Sequence, residues 1–162
     1  MKAVAGAIGG GVPFIVGASA DDAETCCSFA KLAGKVKAAA YLVAEPNARY
    51  GRTEEPLSFF RSIVVASSAP IIIQDLQWNG PGLDLDSIRR LPDELPTLAG
   101  LKIETVPAGA KYTRVRETFG PDLPSTALSW FMPRLFTMLG TIRAAMEITK
   151  SGTKWSLYGL RI

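Results

Sequence analysis

A chain of 162 residues that is 48% hydrophobic, with a mean hydropathy of +0.17, is long enough to bury one core and too apolar for a disordered segment. Its 18 Lys and Arg stand against 15 Asp and Glu, and the resulting charge of +3 is spread without a basic block, which argues against a nucleic-acid partner. There is no histidine, which removes Ser-His and Cys-His nucleophile pairs, the H-E-x-x-H zinc site and the commonest general base at neutral pH, so any chemistry falls to Lys, Tyr, carboxylates or backbone.

At the N-terminus Lys2, an apolar stretch and Ala18-Ser19-Ala20 imitate a secretory signal with a small-residue cleavage site. Gly9-Gly10-Gly11 and Pro13 interrupt that apolar stretch, and a strand over Val12 to Gly17 explains the same residues better. No run of about 18 apolar residues is present, so neither a transmembrane helix nor a membrane partner is expected. Ser19-x-x-Asp22 resembles a capping box opening a helix from Ala20 to Ala33. Within it Cys26 and Cys27 are adjacent, a spacing too strained for a stabilising disulfide and too sparse for zinc, which fits a reducing compartment, the cytoplasm, and no metal.

Val36 to Ala44 is the next apolar run, and after a loop over Pro46 to Arg52 the acidic Thr53-Glu54-Glu55-Pro56 suits a helix N-terminus. Leu57, Phe60, Ile63 and Val64 then recur at helical spacing through Ser67. Ile71-Ile72-Ile73 lacks polar alternation, as in a strand covered on both faces. A Gly- and Pro-bearing loop runs from Leu76 to Leu83, and Asp84 opens a short helix carrying Ile88 and Leu91, which Pro92 and Pro96 confine. A strand through Lys102 and a helix from about Ala108 to Glu117 follow. Beyond Pro121, Leu128, Phe131, Leu135, Leu139, Ile142 and Met146 fall at three- and four-residue steps, which reads as a C-terminal helical segment; the tail from Ser151 to Ile162 has no clear period.

Four strand-then-helix units in a row indicate a parallel sheet with helices packed on it, an α/β fold, because each parallel crossover needs a helix-length connection. Chemistry in such folds lies at the C-terminal ends of strands and in the loops after them. That rule selects Gly17 to Ser19, Glu45 to Arg52, Gln74 to Gln77 and Lys102 to Thr105. Lys102 is the most informative of these. In a strand, Leu101 and Ile103 share one face while Gly100, Lys102 and Glu104 share the other. An amine on the partly desolvated side of a sheet keeps some neutral form near pH 7 and attacks carbonyls to form a Schiff base. The plainer reading is a lysine on the wet face of an edge strand.

Four stretches resemble the dihydrodipicolinate synthase and N-acetylneuraminate lyase family of pyruvate-dependent Schiff-base enzymes. Val12-Pro13-Phe14-Ile15-Val16-Gly17-Ala18-Ser19 is similar to the family's strand with a Gly-Thr-Gly-like turn, and Tyr50-Gly51-Arg52-Thr53-Glu54-Glu55 to its tyrosine loop. Pro70-Ile71-Ile72-Ile73-Gln74-Asp75 matches its next strand, and Gly100-Leu101-Lys102-Ile103-Glu104 matches the Gly-Ile-Lys-Glu strand bearing the Schiff-base lysine. Order and spacing agree over residues 1 to about 116, and 124–148 resembles the family's C-terminal helices more weakly. The resemblance implies a partial (β/α)8 barrel of about four βα units over residues 1–120, with residues 121–162 as a helical segment and tail of the same domain. It implies no cofactor, a 2-oxo acid such as pyruvate and an aldehyde as partners, and a homo-oligomer, because an open half-barrel leaves apolar edges to cover.

Transferred by residue, the resemblance makes Lys102 the imine former and gives Tyr50 a share in proton relay. Gln74, Asp75 and Glu104 become substrate-binding residues. Tyr50 can also be read as a solvated loop tyrosine, Glu104 as an ion partner for a buried ammonium, and Asp75 as a cap on the following loop. Three departures stand out. A full barrel takes eight strands and about 250 residues, the family's early paired-threonine loop has no counterpart, and Gln74 matches the family's proton-relaying tyrosine although an amide cannot exchange a proton as a phenol does. Three readings follow: a Schiff-base lyase or synthase, a truncated family member that is either catalytically silent or completed only by a partner chain, or a small secreted domain after cleavage at Ala20.

Overall fold

The computed structural model describes residues 1–50, 55–77, 79–119 and 125–127. Its first element, helix α1 (Lys2–Ile8), ends on Gly9 in the left-handed region at φ 58° and buries none of its residues. β1 (Ile15–Gly17) is shorter than the apolar run that announces it. α2 (Ala23–Lys35) starts three residues later than expected, because Asp22 rather than Ser19 is the cap: its carboxylate accepts the Thr25 N–H at 2.7 Å and the Thr25 hydroxyl at 2.8 Å. The Ser19 hydroxyl instead accepts the Ala44 N–H at 2.8 Å, stitching the end of β1 to β2 (Ala40–Ala44).

After a 3-10 turn over Asn47–Arg49, helix α3 (Glu55–Val64) buries Leu57, Phe60 and Ile63, the three-residue period read from the sequence. Each such side chain contributes about 1.5–3 kcal/mol of burial. β3 (Ile71–Gln77) leads through a turn to α4 (Leu85–Glu94), capped by Asp84, which accepts the Ser87 N–H at 2.7 Å. Of the two prolines that confine this helix in the sequence, Pro92 is accommodated inside it, and the helix ends at Glu94, before Pro96. Glu94 gains from that extension, reaching Arg90 at 2.7 Å and Arg61 of α3 at 3.1 Å. β4 (Leu98–Thr105) and α5 (Ala108–Phe119) complete a fourth unit.

All pairings are parallel and the order is β1-β2-β3-β4-β5, where β5 (Ser125–Ala127) pairs with β4 through Leu101↔Ser125 to Ile103↔Ala127. The fifth strand corrects the sequence reading, which made residues 121–162 a helical segment. The chain returns to the sheet first, and residues 128–162, on which the expected helical steps fall, lie outside the described residues. β1 and β5 are the two ends of the described sheet, so it is open, as expected for a partial barrel.

α2 packs on α3 and α3 on α4, so these helices share one side of the sheet. That side holds the core: Val16, Tyr41, Val43, Ile71, Ile73, Leu101 and Ile103, all buried. The other face is less covered. Ile15 is 48% exposed, and Leu42, Ile72, Gln74, Leu76 and Lys102 are half-buried. Coverage of Ile71-Ile72-Ile73 on both faces was therefore only partly right: Ile71 and Ile73 are buried under helices, and Ile72 is on the open side.

Candidate active site

Parallel register sets the site. Gln74 pairs with Lys102 and Leu76 with Glu104, so Gln74, Lys102 and Glu104 stand on the open face in the C-terminal halves of two central strands. Leu101 and Ile103 go to the core, which leaves Lys102 pointing the other way, the alternation that the sequence implied. Its amine lies 2.9 Å from Glu104 Oε2, and the same oxygen accepts a hydrogen bond from the Gln74 amide. The lysine side chain is 30% exposed and that of Glu104 only 6%. The amine is thus half-sheltered, in contact with a buried carboxylate, and on an interior strand rather than on the wet face of an edge.

Tyr50 lies after the 3-10 turn that follows β2, and its phenol oxygen accepts the Leu76 N–H at 3.2 Å. This is the rung that pairs with Glu104. Burial pushes the phenol pKa well up, with Asp75 and Glu45 adding to the shift, so Tyr50 keeps its proton. It is half-buried and packed against the core, not a solvated loop tyrosine. The loop beyond it, residues 51–54, lies outside the described residues.

Asp75 does not join Lys102. Side chains alternate along β3, so Asp75 turns to the helix side, fully buried, while Gln74 turns to the open face. There it accepts the Leu83 N–H at 2.8 Å and pairs with Lys111 of α5, whose amine also donates to the Pro81 carbonyl at 2.5 Å. Burial raises the Asp75 pKa against the lowering influence of Lys111 and the Leu83 N–H. Burial lowers that of Lys111 against the opposite pull of Asp75. The capping alternative for Asp75 matches this geometry, and a place beside the Lys102 amine does not.

Lys111 went unread in the sequence. A signal was present: a cation in the first turn of a helix opposes the macrodipole and calls for a compensating anion. Gly82 belongs to the same assembly, with φ +69° and no room for a side chain between Asp75 and Thr105. Among the described residues no group of three or more Cys, Asp or Glu is placed to hold a metal ion, and no helix is long and apolar enough to cross a membrane.

No protein-family model matches the sequence, and no curated protein matches it. Solved structures do. The 4-hydroxy-tetrahydrodipicolinate synthase of Methylacidiphilum fumariolicum SolV is similar at a TM-score of 0.68 and 16% identity, over 78% of this chain and 42% of that one. A putative dihydrodipicolinate synthetase of Pseudomonas aeruginosa gives a TM-score of 0.67 at 16% identity, over 92% and 58%. The N-acetylneuraminate lyase of Fusobacterium nucleatum, complexed with pyruvate, gives 0.63 at 20% identity, over 74% and 40%. The chain thus spans about half the length of the structures it matches, and over that span it has the fold of one part of the dihydrodipicolinate synthases and N-acetylneuraminate lyases.

Proposed function

We propose that this chain is a class I aldolase-type lyase or synthase in which Lys102 forms a Schiff base with a 2-oxo acid such as pyruvate. The observation that carries the reading is the Lys102 amine on the open face of an interior strand, 30% exposed and 2.9 Å from a buried carboxylate. An amine so held is reachable by a small keto compound and sheltered from bulk water, the combination that imine chemistry needs. Its attack on the ketone carbon gives an iminium that withdraws electrons from the neighbouring carbon, and the resulting enamine adds to an aldehyde or forms as an aldol-type bond breaks. Gln74 supplies an amide for a substrate oxygen, and Tyr50, with its proton retained, takes part in proton relay at the Glu104 rung. Asp75 is assigned to holding the loop over Gly82 and Leu83, not to substrate. Free thiols at Cys26 and Cys27 support action in a reducing compartment such as the cytoplasm.

A second reading has its own support: Gln74 matches the family's relaying tyrosine, and the open face carries a 48% exposed Ile15 at the end strand β1. On that reading the chain is silent until a partner, most simply a second copy, covers the face. Borohydride reduction in the presence of pyruvate separates the two. A covalent adduct on the isolated chain supports the enzyme, and its absence, with activity regained only on adding a partner chain, supports the second.

A further inference from the structure

The geometry points to Glu104 as the general acid and base of this site, the group that moves protons on and off the Lys102 adduct where the position of Gln74 offers no phenol; the inference rests on the Schiff-base reading above. Glu104 is 7% exposed, and two donors converge on its Oε2, the Lys102 amine at 2.9 Å and the Gln74 amide. A proton-transfer group must stand within about 2.6–3.2 Å of its proton. Glu104 meets that limit at the atom where the imine forms. Gln74, the ladder partner of Lys102, cannot exchange a proton, but its amide hydrogen bond fixes the carboxylate that can. The period of the strand brings this about: a carboxylate two residues after the lysine shares its face, whereas one directly after it would turn to the core.

The steps balance on these two residues. Glu104 takes a proton from the Lys102 ammonium, freeing the amine to bond to the ketone carbon, and a proton then passes from the attacking nitrogen to the former carbonyl oxygen to give the neutral carbinolamine. Glu104 then returns that proton to the carbinolamine hydroxyl, which leaves as water and gives the iminium. The carboxylate next removes a proton from the carbon beside the iminium, forming the enamine, and as a carboxylic acid it protonates the alkoxide when that carbon bonds to an aldehyde. No metal or further co-reactant is needed.

The test uses the full chain with pyruvate in deuterated water, following loss of the methyl proton signal by NMR, with borohydride trapping in parallel. The native chain is expected to trap pyruvate on Lys102 and to exchange the methyl protons. Glu104→Gln is expected to trap the imine, more slowly, while exchange falls about 100-fold or more, the usual scale of a lost acid or base. Gln74→Leu, which keeps both reacting residues but removes the amide that orients the carboxylate and meets a substrate oxygen, is expected to trap more slowly and, per trapped imine, to exchange about 10-fold more slowly, a smaller loss than that of Glu104→Gln because only positioning is removed. Should Glu104→Gln fail to fold, Gln74→Leu and Glu104→Asp carry the test. Unchanged exchange per trapped imine in the folded variants overturns the role of Glu104 while leaving the Schiff base standing. A native chain that neither traps nor exchanges overturns both.

Discussion

Replacing Gly82 by alanine adds one carbon at a turn with no room for it. Gly82 has φ +69°, and a Cβ there would collide with Asp75 Oδ1, lying 2.8 Å from Asp75 Cγ and 2.5 Å from Thr105 Cγ2. The left-handed backbone alone costs an alanine about 1–2 kcal/mol. The Asp75 carboxylate must also move, and it is fully buried, bonded to the Leu83 N–H at 2.8 Å and paired with Lys111. Loss of a buried charge-assisted hydrogen bond adds about 1.5–3 kcal/mol, so the total is about 2.5–5 kcal/mol, a large fraction of the roughly 5–15 kcal/mol that holds a domain of this kind together. At a urea slope of about 2 kcal/mol per molar, the unfolding midpoint drops by about 2 M. Gly80→Ala is the control: its Cβ would meet only the end of the Gln77 side chain, 2.7 Å from Nε2, at a backbone angle that alanine accepts. Its loss should stay near 1 kcal/mol. Equal losses for the two variants, or a Gly82→Ala loss under 1 kcal/mol, would refute the argument that Asp75 cannot give way.

Two further variants probe the helix ends. Asp84→Ala removes the cap of α4 and should cost about 1 kcal/mol, the exposed position keeping it from more. Burial raises the Asp84 pKa, but the hydrogen bonds from Ser87 outweigh it and leave it lowered overall. Its contribution is therefore present above the unfolded carboxylate pKa near 4 and lost as the pH falls through the folded value. Urea curves for both proteins should converge on acidification; a gap that widened there would contradict the assignment. Lys37 adopts φ 54° just after α2, where its N–H bonds to the Gly34 carbonyl at 3.1 Å and that of Ala38 to Ala33 at 3.0 Å, the closing pattern that glycine usually fills. Lys37→Gly should stabilise the chain by about 0.5–1 kcal/mol, and a drop in the thermal midpoint would count against that reading.

What the sequence disclosed was mostly local or periodic. The Leu57, Phe60, Ile63 spacing, the Asp84 cap and the alternation that separates Lys102 from Leu101 and Ile103 each depend on a few neighbouring residues. Errors came where a second, distant group decides. Ser19 resembles a cap within its own stretch of sequence, yet its hydroxyl serves Ala44 on the next strand. The loss of a backbone donor at Pro92 is a local fact that weighs against helix there, whereas the gain from docking Glu94 onto Arg61 comes from another helix. Asp75 was grouped with Gln74 by adjacency, although strand period sends adjacent residues apart, and its partner Lys111 is thirty-six positions away in the chain. The short strand at 125–127 is too brief to carry a period of its own and exists by pairing with β4.

The most direct measurement is a peptide map of the chain after borohydride reduction with pyruvate. One reduced pyruvyl group on the peptide containing Lys102, absent from Lys102→Met and from samples reduced without pyruvate, is the predicted result. An unmodified Lys102 peptide, or labelling spread over surface lysines and undiminished in Lys102→Met, would contradict the account at its centre.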